Sequence, residues 1–284
     1  MIVDWETNKV YFSYSSVYDF KPEMKKLWAI LEMNSIAYGH IAGTKDYYCR
    51  DYMPVQVTKK KFVQFTFKPD YLLKIPNRRK FATSTDRVLR ENKFLHDYHI
   101  KNSDIILDGG NVVKSKKHVI VTDKIKVDNP SLERDELKNQ LKELLKVEDV
   151  FIIPRYPNEE TGHADGLLRF IDEKTLLAIN LKEEEKEWLK ELKKEFEEMK
   201  KAGITIVQLP EGKNPDKDWR YINYLHAGKI VIVPKFNNES DKIILPFMYN
   251  LFLQRGIEMF TVKASAIAKY GGVLNCFSWN ILSK

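Results

Sequence analysis

Two cysteines in 284 residues cannot build a disulfide framework, so a reducing compartment is the simpler assumption. The N-terminal run Met1-Ile2-Val3-Asp4-Trp5-Glu6 has no basic stretch leading into a long apolar one, and no apolar stretch approaches the length of a membrane span. A cytoplasmic protein with no membrane partner is expected. Nor is there a basic stripe. The formal charge is +7, but the lysines are interleaved with glutamates, as in Glu183-Glu184-Glu185-Lys186-Glu187-Trp188-Leu189-Lys190. That pattern reads as a solvated helix face, so no nucleic-acid partner is expected. The short clusters Lys59-Lys60-Lys61 and Arg78-Arg79-Lys80 read as solvated turns.

The chain does contain a recurring order of helix, strand, motif-bearing loop and further strands, which places it in the α/β class. The first pass has a strand over 10–14, a helix from about Pro22 with Met24, Leu27, Trp28 and Leu31 on one face, and a strand over 36–40. The loop at 47–54 follows, then strands over 55–57 and 62–67. The second pass places a weak helix over 84–92, a strand over 105–107, the loop Asp108-Gly109-Gly110-Asn111 and a strand over 118–122. The third starts a helix at Asn129-Pro130 with Leu137, Leu141, Leu144 and Leu145 as its apolar stripe. A strand over 150–154, the loop at 161–166 and strands over 167–171 and 176–179 complete it.

The fourth helix carries Trp188, Leu189, Leu192, Phe196 and Met199 on one face, with acidic residues at its start and Gly203 at its C-terminal cap. Strands over 204–207 and 230–234 flank the segment 221–224. The fifth helix is expected to begin near Pro246 and stop at Gly256, before a strand over 257–262 and the run Gly271-Gly272-Val273-Leu274-Asn275-Cys276. From Asp51 to Asp108 and on to His163 the motif positions are 57 and 55 residues apart, and from Asp165 to Asn223 and on to Cys276 they are 58 and 53 apart. Near-equal units imply one closed domain over 1–284, with approximate repeats 1–75, 76–127, 128–181, 182–239 and 240–284. Equivalent loops of such a ring would bring Asp51, Asp108, His163, Asp165 and Cys276 to one central pocket.

Taken singly, each of these residues has an ordinary reading. Asp51 suits a turn or a helix cap, Asp108-Gly109-Gly110 a tight turn, His163 a surface or core position, and both Cys49 and Cys276 the core. Their shared phase in the repeats favours a site. A thiol, a histidine and several carboxylates suit attack on a planar cationic carbon. Carboxylates grip a guanidinium through paired hydrogen bonds, a bound cation favours the thiolate, and a histidine delivers a proton to departing ammonia. Tyr47, Tyr48, Tyr52 and Trp279 suit either a cation–π wall or the core.

The motifs at 49–54 (Cys-Arg-Asp-Tyr-Met-Pro), 107–111 (Leu-Asp-Gly-Gly-Asn), 161–170 (Thr-Gly-His-Ala-Asp-Gly-Leu-Leu-Arg-Phe) and 271–276 (Gly-Gly-Val-Leu-Asn-Cys) resemble the motif series of the guanidino-group-modifying superfamily. The branch they are most similar to holds the agmatine deiminases and the bacterial peptidylarginine deiminases. The resemblance implies the pentein fold, a fivefold pseudosymmetric α/β propeller around a central pocket. It implies a hydrolase that turns a small-molecule or peptidyl guanidino group into a ureido group with release of ammonia, using no metal and no organic cofactor. Cys276 would be the nucleophile forming a thiouronium intermediate and His163 the proton donor. Asp51 and Asp165 would clamp the guanidinium, Asp108 would orient His163, and Asn111 would belong to the substrate-binding set and shape its loop; Arg50, Gly162 and Arg169 would shape theirs. Amidino transfer to an amine and a non-catalytic binder on the same scaffold are the alternatives, and homo-oligomerisation is left open. Departures from the usual pattern are Tyr48 for Trp, Met53 for Gly, Asp108 for Glu, Asn275 for His, and Phe277-Ser278 for Ile-Thr.

Overall fold

The computed structural model of the protein describes residues 1–157, 160–181 and 186–283. Its strands run in chain order as β1 (Lys9–Ser13), β2 (Ala37–Ile41), β3 (Val55–Gln56), β4 (Lys61–Thr66) and β5 (His99–Ile106). They continue as β6 (Val113–Lys114), β7 (His118–Thr122), β8 (Asp149–Ile153), β9 (Leu168–Phe170) and β10 (Thr175–Ala178). The last five are β11 (Thr205–Gln208), β12 (Leu225–Ala227), β13 (Ile230–Lys235), β14 (Glu258–Lys263) and β15 (Ser278–Ile281).

These strands form five three-stranded sheets with the orders β15-β1-β2, β3-β4-β5, β6-β7-β8, β9-β10-β11 and β12-β13-β14. In every sheet the middle strand is antiparallel to one neighbour and parallel to the other. A middle strand is covered on both faces, so its sequence is almost continuously apolar. His118–Thr122, Thr175–Ala178 and Ile230–Pro234 are buried throughout. Outer strands are more polar, which is why β5, with the run His99-Ile100-Lys101-Asn102-Ser103-Asp104, is longer than its apolar end suggests.

Each sheet also crosses a boundary between sequence repeats. Strands β3 and β4 precede residue 75 and β5 follows it, and the same holds for β6, β7 and β8 about residue 127. Pairing of β15 with β1 joins the two ends of the chain. A unit cut at any of these boundaries would expose an unpaired sheet edge.

The helix over Lys21–Met33 buries Met24, Leu27 and Leu31, as its spacing requires. The helix over Lys186–Lys201 buries Leu189, Leu192, Phe196 and Met199, and Gly203 follows it at φ +85. The acidic run at 183–185, the boundary at residue 182 and the terminal residue 284 lie outside the described residues. Two helix starts differ from the sequence-based expectation. The third-repeat helix spans Arg134–Leu145, not a stretch from Asn129. The Asn129 side chain instead bonds both backbone groups of Ile106 at 2.9 Å and the carbonyl of Ile125, closing β5 and the short helix Lys124–Asp128. The fifth helix spans Asp241–Leu253 with Pro246 inside it. Its start is held by the Asp241 carboxylate, which accepts the N–H groups of Phe236 and Asn237 and the Tyr221 hydroxyl. That anchoring offsets the one intrahelical bond that Pro246 cannot make.

A buried ion pair ties the N-terminal segment to the third repeat. Arg169 Nη2 donates to Asp4 Oδ2 at 2.6 Å, Arg169 Nη1 donates to the carbonyl of Tyr224, and Asn280 Nδ2 reaches Asp4 Oδ1 at 3.4 Å. Burial opposes the Asp4 charge, and Arg169 and Lys114 more than offset it, holding the carboxyl below its ordinary range. Removing one partner strands the other charge. Arg169→Met is expected to cost about 3–5 kcal/mol in urea unfolding, and adding Asp4→Asn to recover part of that loss. A cost within experimental error in the single variant would show that the pair does not hold the ring.

Candidate active site

The loops that follow the repeats meet at one cavity of about 800 Å³, lined by Cys276, His163, Asp165, Asp51, Asn223 and Tyr71 among others. Asp51 comes from a single helical turn, Cys49–Tyr52, where the sequence suggested only a loop. Gly110 makes room for what happens next. A Cβ there would lie 2.5 Å from Asp51 Oδ1 and 2.7 Å from His163 Nδ1, so only glycine lets these groups approach. The Gly110 N–H donates to Asp51 Oδ1 at 3.1 Å.

His163 sits between two carboxylates. Its Nε2 is 2.9 Å from Asp108 Oδ2 and its Nδ1 is 3.6 Å from Asp51 Oδ1. Asp108 therefore reaches the imidazole despite being one methylene shorter than glutamate, and it stands behind His163, away from the cavity wall. Burial disfavours charge on His163, but Asp51 and Asp108 more than compensate and raise its pKa to about 10. Burial, reinforced by the nearby Asp108 and Asp165 charges and countered by His163, pushes Asp51 up to about 7. The Tyr71 hydroxyl donates to Asp51 Oδ2 at 2.8 Å, and its ring meets His163 edge-on.

Cys276 is 8% exposed and opens on the cavity, whereas Cys49 is fully buried and directs its thiol at the carbonyls of Tyr11 and Phe277. Gly271 adopts φ +104. At Gly272 a Cβ would fall 2.6 Å from the Tyr48 ring and 2.9 Å from Cys276 Cβ, which accounts for the glycine pair. The Cys276 sulfur is 3.3 Å from Asp165 Oδ2 and 3.2 Å from Asn223 Nδ2. Burial, with Asp165 and Asp51 adding to it, pushes the thiol well above its ordinary pKa. That shift favours the thiol over the thiolate. Asn275 donates to Asp165 Oδ2 at 2.6 Å, so the residue that departs from the usual histidine fixes the carboxylate.

Asn111 does not face the cavity. Its Oδ1 accepts the N–H groups of Thr122 and Ala164, which makes it a brace between two loops, not a substrate contact. Arg50 braces likewise, from its backbone N–H to the Cys276 carbonyl and from its guanidinium to Asn275 O and Asn280 Oδ1. Of the aromatic residues, Tyr47 and Tyr48 line the cavity, while Tyr52 and Trp279 are core. Arg78 is exposed, as its turn reading has it, and also lines the cavity, where it pairs with Glu160. Sequence reasoning missed the roles of Asn223 and Tyr71. The phase of Asn223 in the repeat series marks it; nothing marks Tyr71, which lies in the single helical turn Asp70–Leu73 between β4 and β5. Among the described residues there is no group of three or more His, Cys, Asp or Glu suited to hold a metal ion, and no helix is long and apolar enough to cross a membrane.

Residues 16–281 match the model of the Porphyromonas-type peptidyl-arginine deiminase family. A candidate agmatine deiminase of Lactococcus lactis is 24% identical over 212 residues, covering 63% of this chain and only 57% of that protein. Among solved structures, an agmatine deiminase of C. jejuni superposes with a TM-score of 0.74 at 20% identity, covering 99% of this chain and 95% of that one. The DDAH from Pseudomonas aeruginosa, in complex with citrulline, superposes with a TM-score of 0.61 at 12% identity over 97% of this chain and 99% of that one. At these identities the structural likeness is one of fold, and the fold is the pentein fold.

The charges around His163 set a pH dependence. Its folded pKa is near 10 against about 6.5 unfolded, so its contribution to stability is complete below about 6.5 and is lost as pH rises through about 10. Asp51, raised to about 7, acts in the same direction between about pH 4 and 7. Unfolding free energy of the ligand-free protein is expected to fall from pH 5 to pH 10, and the His163 imidazole to titrate near 10 by NMR. An imidazole titrating near its ordinary value would contradict the geometry.

Proposed function

The chain belongs to the Porphyromonas-type peptidyl-arginine deiminase family, and on that premise we propose that it is a cysteine-dependent deiminase of a guanidino compound. The observation that carries this reading is the convergence of a thiol, a histidine held between carboxylates, and Asp51 and Asp165 on one cavity. Asp51 and Asp165 accept hydrogen bonds from the guanidinium nitrogens, in a pocket where a cation relieves their mutual repulsion. The same cation offsets the negative charge that resists ionisation of Cys276.

Cys276 loses its proton to solvent as the cation binds, and the thiolate attacks the guanidinium carbon, forming a C–S bond as the C=N π electrons move onto nitrogen. His163, protonated in this site, gives its proton to the departing nitrogen, and the C–N bond breaks to release ammonia and leave a thiouronium on Cys276. His163 then takes a proton from water as the oxygen adds to the same carbon. Cleavage of the C–S bond returns the thiolate as the carbonyl forms, and the remaining hydroxyl proton passes to solvent, which leaves the ureido product and, with the ammonia released earlier, accounts for both protons of the water. Asp108 holds the imidazole in place throughout, and Tyr71 holds the Asp51 carboxylate.

The cavity far exceeds a guanidinium, which leaves room for the chain that bears it. Its wall carries Lys45, Arg78 and Lys269 as well as Glu160, Glu211 and Asp218. An arginine-like substrate, free or peptidyl, fits this mixture.

The test is ammonia and ureido release from a panel of guanidino compounds: agmatine, free arginine, methylated arginines and arginine peptides. At least one is expected to turn over without any added amine, and Cys276→Ala to abolish that turnover. Turnover retained by Cys276→Ala, or product formed only when an amine acceptor is supplied, would refute a hydrolytic cysteine mechanism.

A further inference from the structure

The amide of Asn223 has one possible orientation. Its Oδ1 accepts the backbone N–H groups of Val273 at 3.1 Å and Cys276 at 3.2 Å. Turned over, the amide would face those two donors with its own N–H groups. The NH₂ end is thereby aimed at Cys276 Sγ and Asp165 Oδ2, each at 3.2 Å, and the whole residue is sealed from solvent.

The sulfur therefore has two opposed neighbours. Asp165 Oδ2, at 3.3 Å, accepts a hydrogen bond from the thiol but repels a thiolate. The Asn223 N–H does the reverse, because a donor bonds a charged acceptor more strongly than a neutral one. Among the described residues, Asn223 makes the one N–H hydrogen bond to this sulfur.

We propose that Asn223 is a positioning residue for the nucleophile: its NH₂ group is the donor that holds the Cys276 sulfur when it becomes charged, and its carbonyl oxygen fixes the turn that presents that sulfur to the cavity. The proposal rests on the reading of Cys276 as the nucleophile. It gives the fourth repeat a part in the site, beside Asp51 from the first, Asp108 from the second, His163 and Asp165 from the third and Cys276 from the fifth.

The test reads the sulfur directly. Alkylation of Cys276 by iodoacetamide is followed against pH, without any guanidino compound, by peptide mass spectrometry that separates Cys276 from Cys49. Two variants lose the donor with different side effects. Asn223→Asp keeps an oxygen for both backbone N–H groups but adds a charge, and Asn223→Ala adds no charge but frees both N–H groups. Both are expected to move the midpoint of the rate profile up by about one pH unit or more, so that alkylation below the midpoints slows roughly tenfold. Profiles that superimpose on the parent, or a shift in Asn223→Asp alone, would overturn the proposal; the second result would be charge repulsion. If Asn223→Asp fails to fold by circular dichroism, Asn223→Ala decides by itself. Because the assay uses no substrate, its failure and a failure of the deiminase reading are separately visible.

Discussion

Asp51, Asp108 and Asp165 are buried around one histidine at the centre of the molecule. Like charges so placed, with little water to screen them, repel strongly; the His163 imidazolium lies between Asp51 and Asp108, and Lys124, 4.0 Å from Asp108, is shared with Asp70 and Asp128. The consequences are visible in each group: His163 holds its proton, Asp51 holds one well above the ordinary carboxylate range, and Cys276 resists losing its own. A site in this condition favours a further positive charge beside Asp51. A planar cation that donates hydrogen bonds to Asp51 and Asp165 suits such a site, and in the proposed function its binding also eases ionisation of Cys276.

Holding such a cluster together requires a scaffold that cannot relax. The five sheets each bridge two sequence repeats, the last strand pairs with the first, and the buried Arg169–Asp4 pair joins the chain's start to its middle. Loops from every repeat are thereby fixed relative to one another. Close approach is then a matter of volume. Gly110 admits Asp51 and His163 to each other, and Gly272 admits Tyr48 to Cys276.

Much of this was legible in the residues themselves, for definite reasons. The middle strands are continuous apolar runs, so their positions stood out, and the regular spacing of motifs from Asp51 to Cys276 showed that distant loops occupy equivalent places. Parts that depend on tertiary bonds were not legible. Asn129 followed by Pro130 has the local form of a helix start, yet its amide is committed to Ile106 across the fold. Pro246 looks like a helix start and lies inside one, because Asp241 anchors the preceding turn. Asn111 reads as a polar loop residue near the chemistry, and only the bonds to Thr122 and Ala164 show that it faces away. Tyr71 sits in a segment without periodicity, and its contact with Asp51 has no local signature.

The buried carboxylates and the raised pKa of Asp51 call for a cation beside that residue. Calorimetry of guanidino-compound binding to Cys276→Ala, repeated in buffers of different ionisation enthalpy, tests it without turnover and without the thiol. With its pKa raised to about 7, Asp51 is about half protonated near pH 7, so a guanidinium settling on it is expected to release up to roughly half a proton, and that release is expected to fade at higher pH. Binding with no proton release near pH 7, or no binding by any guanidino compound that the parent turns over, would contradict the claim.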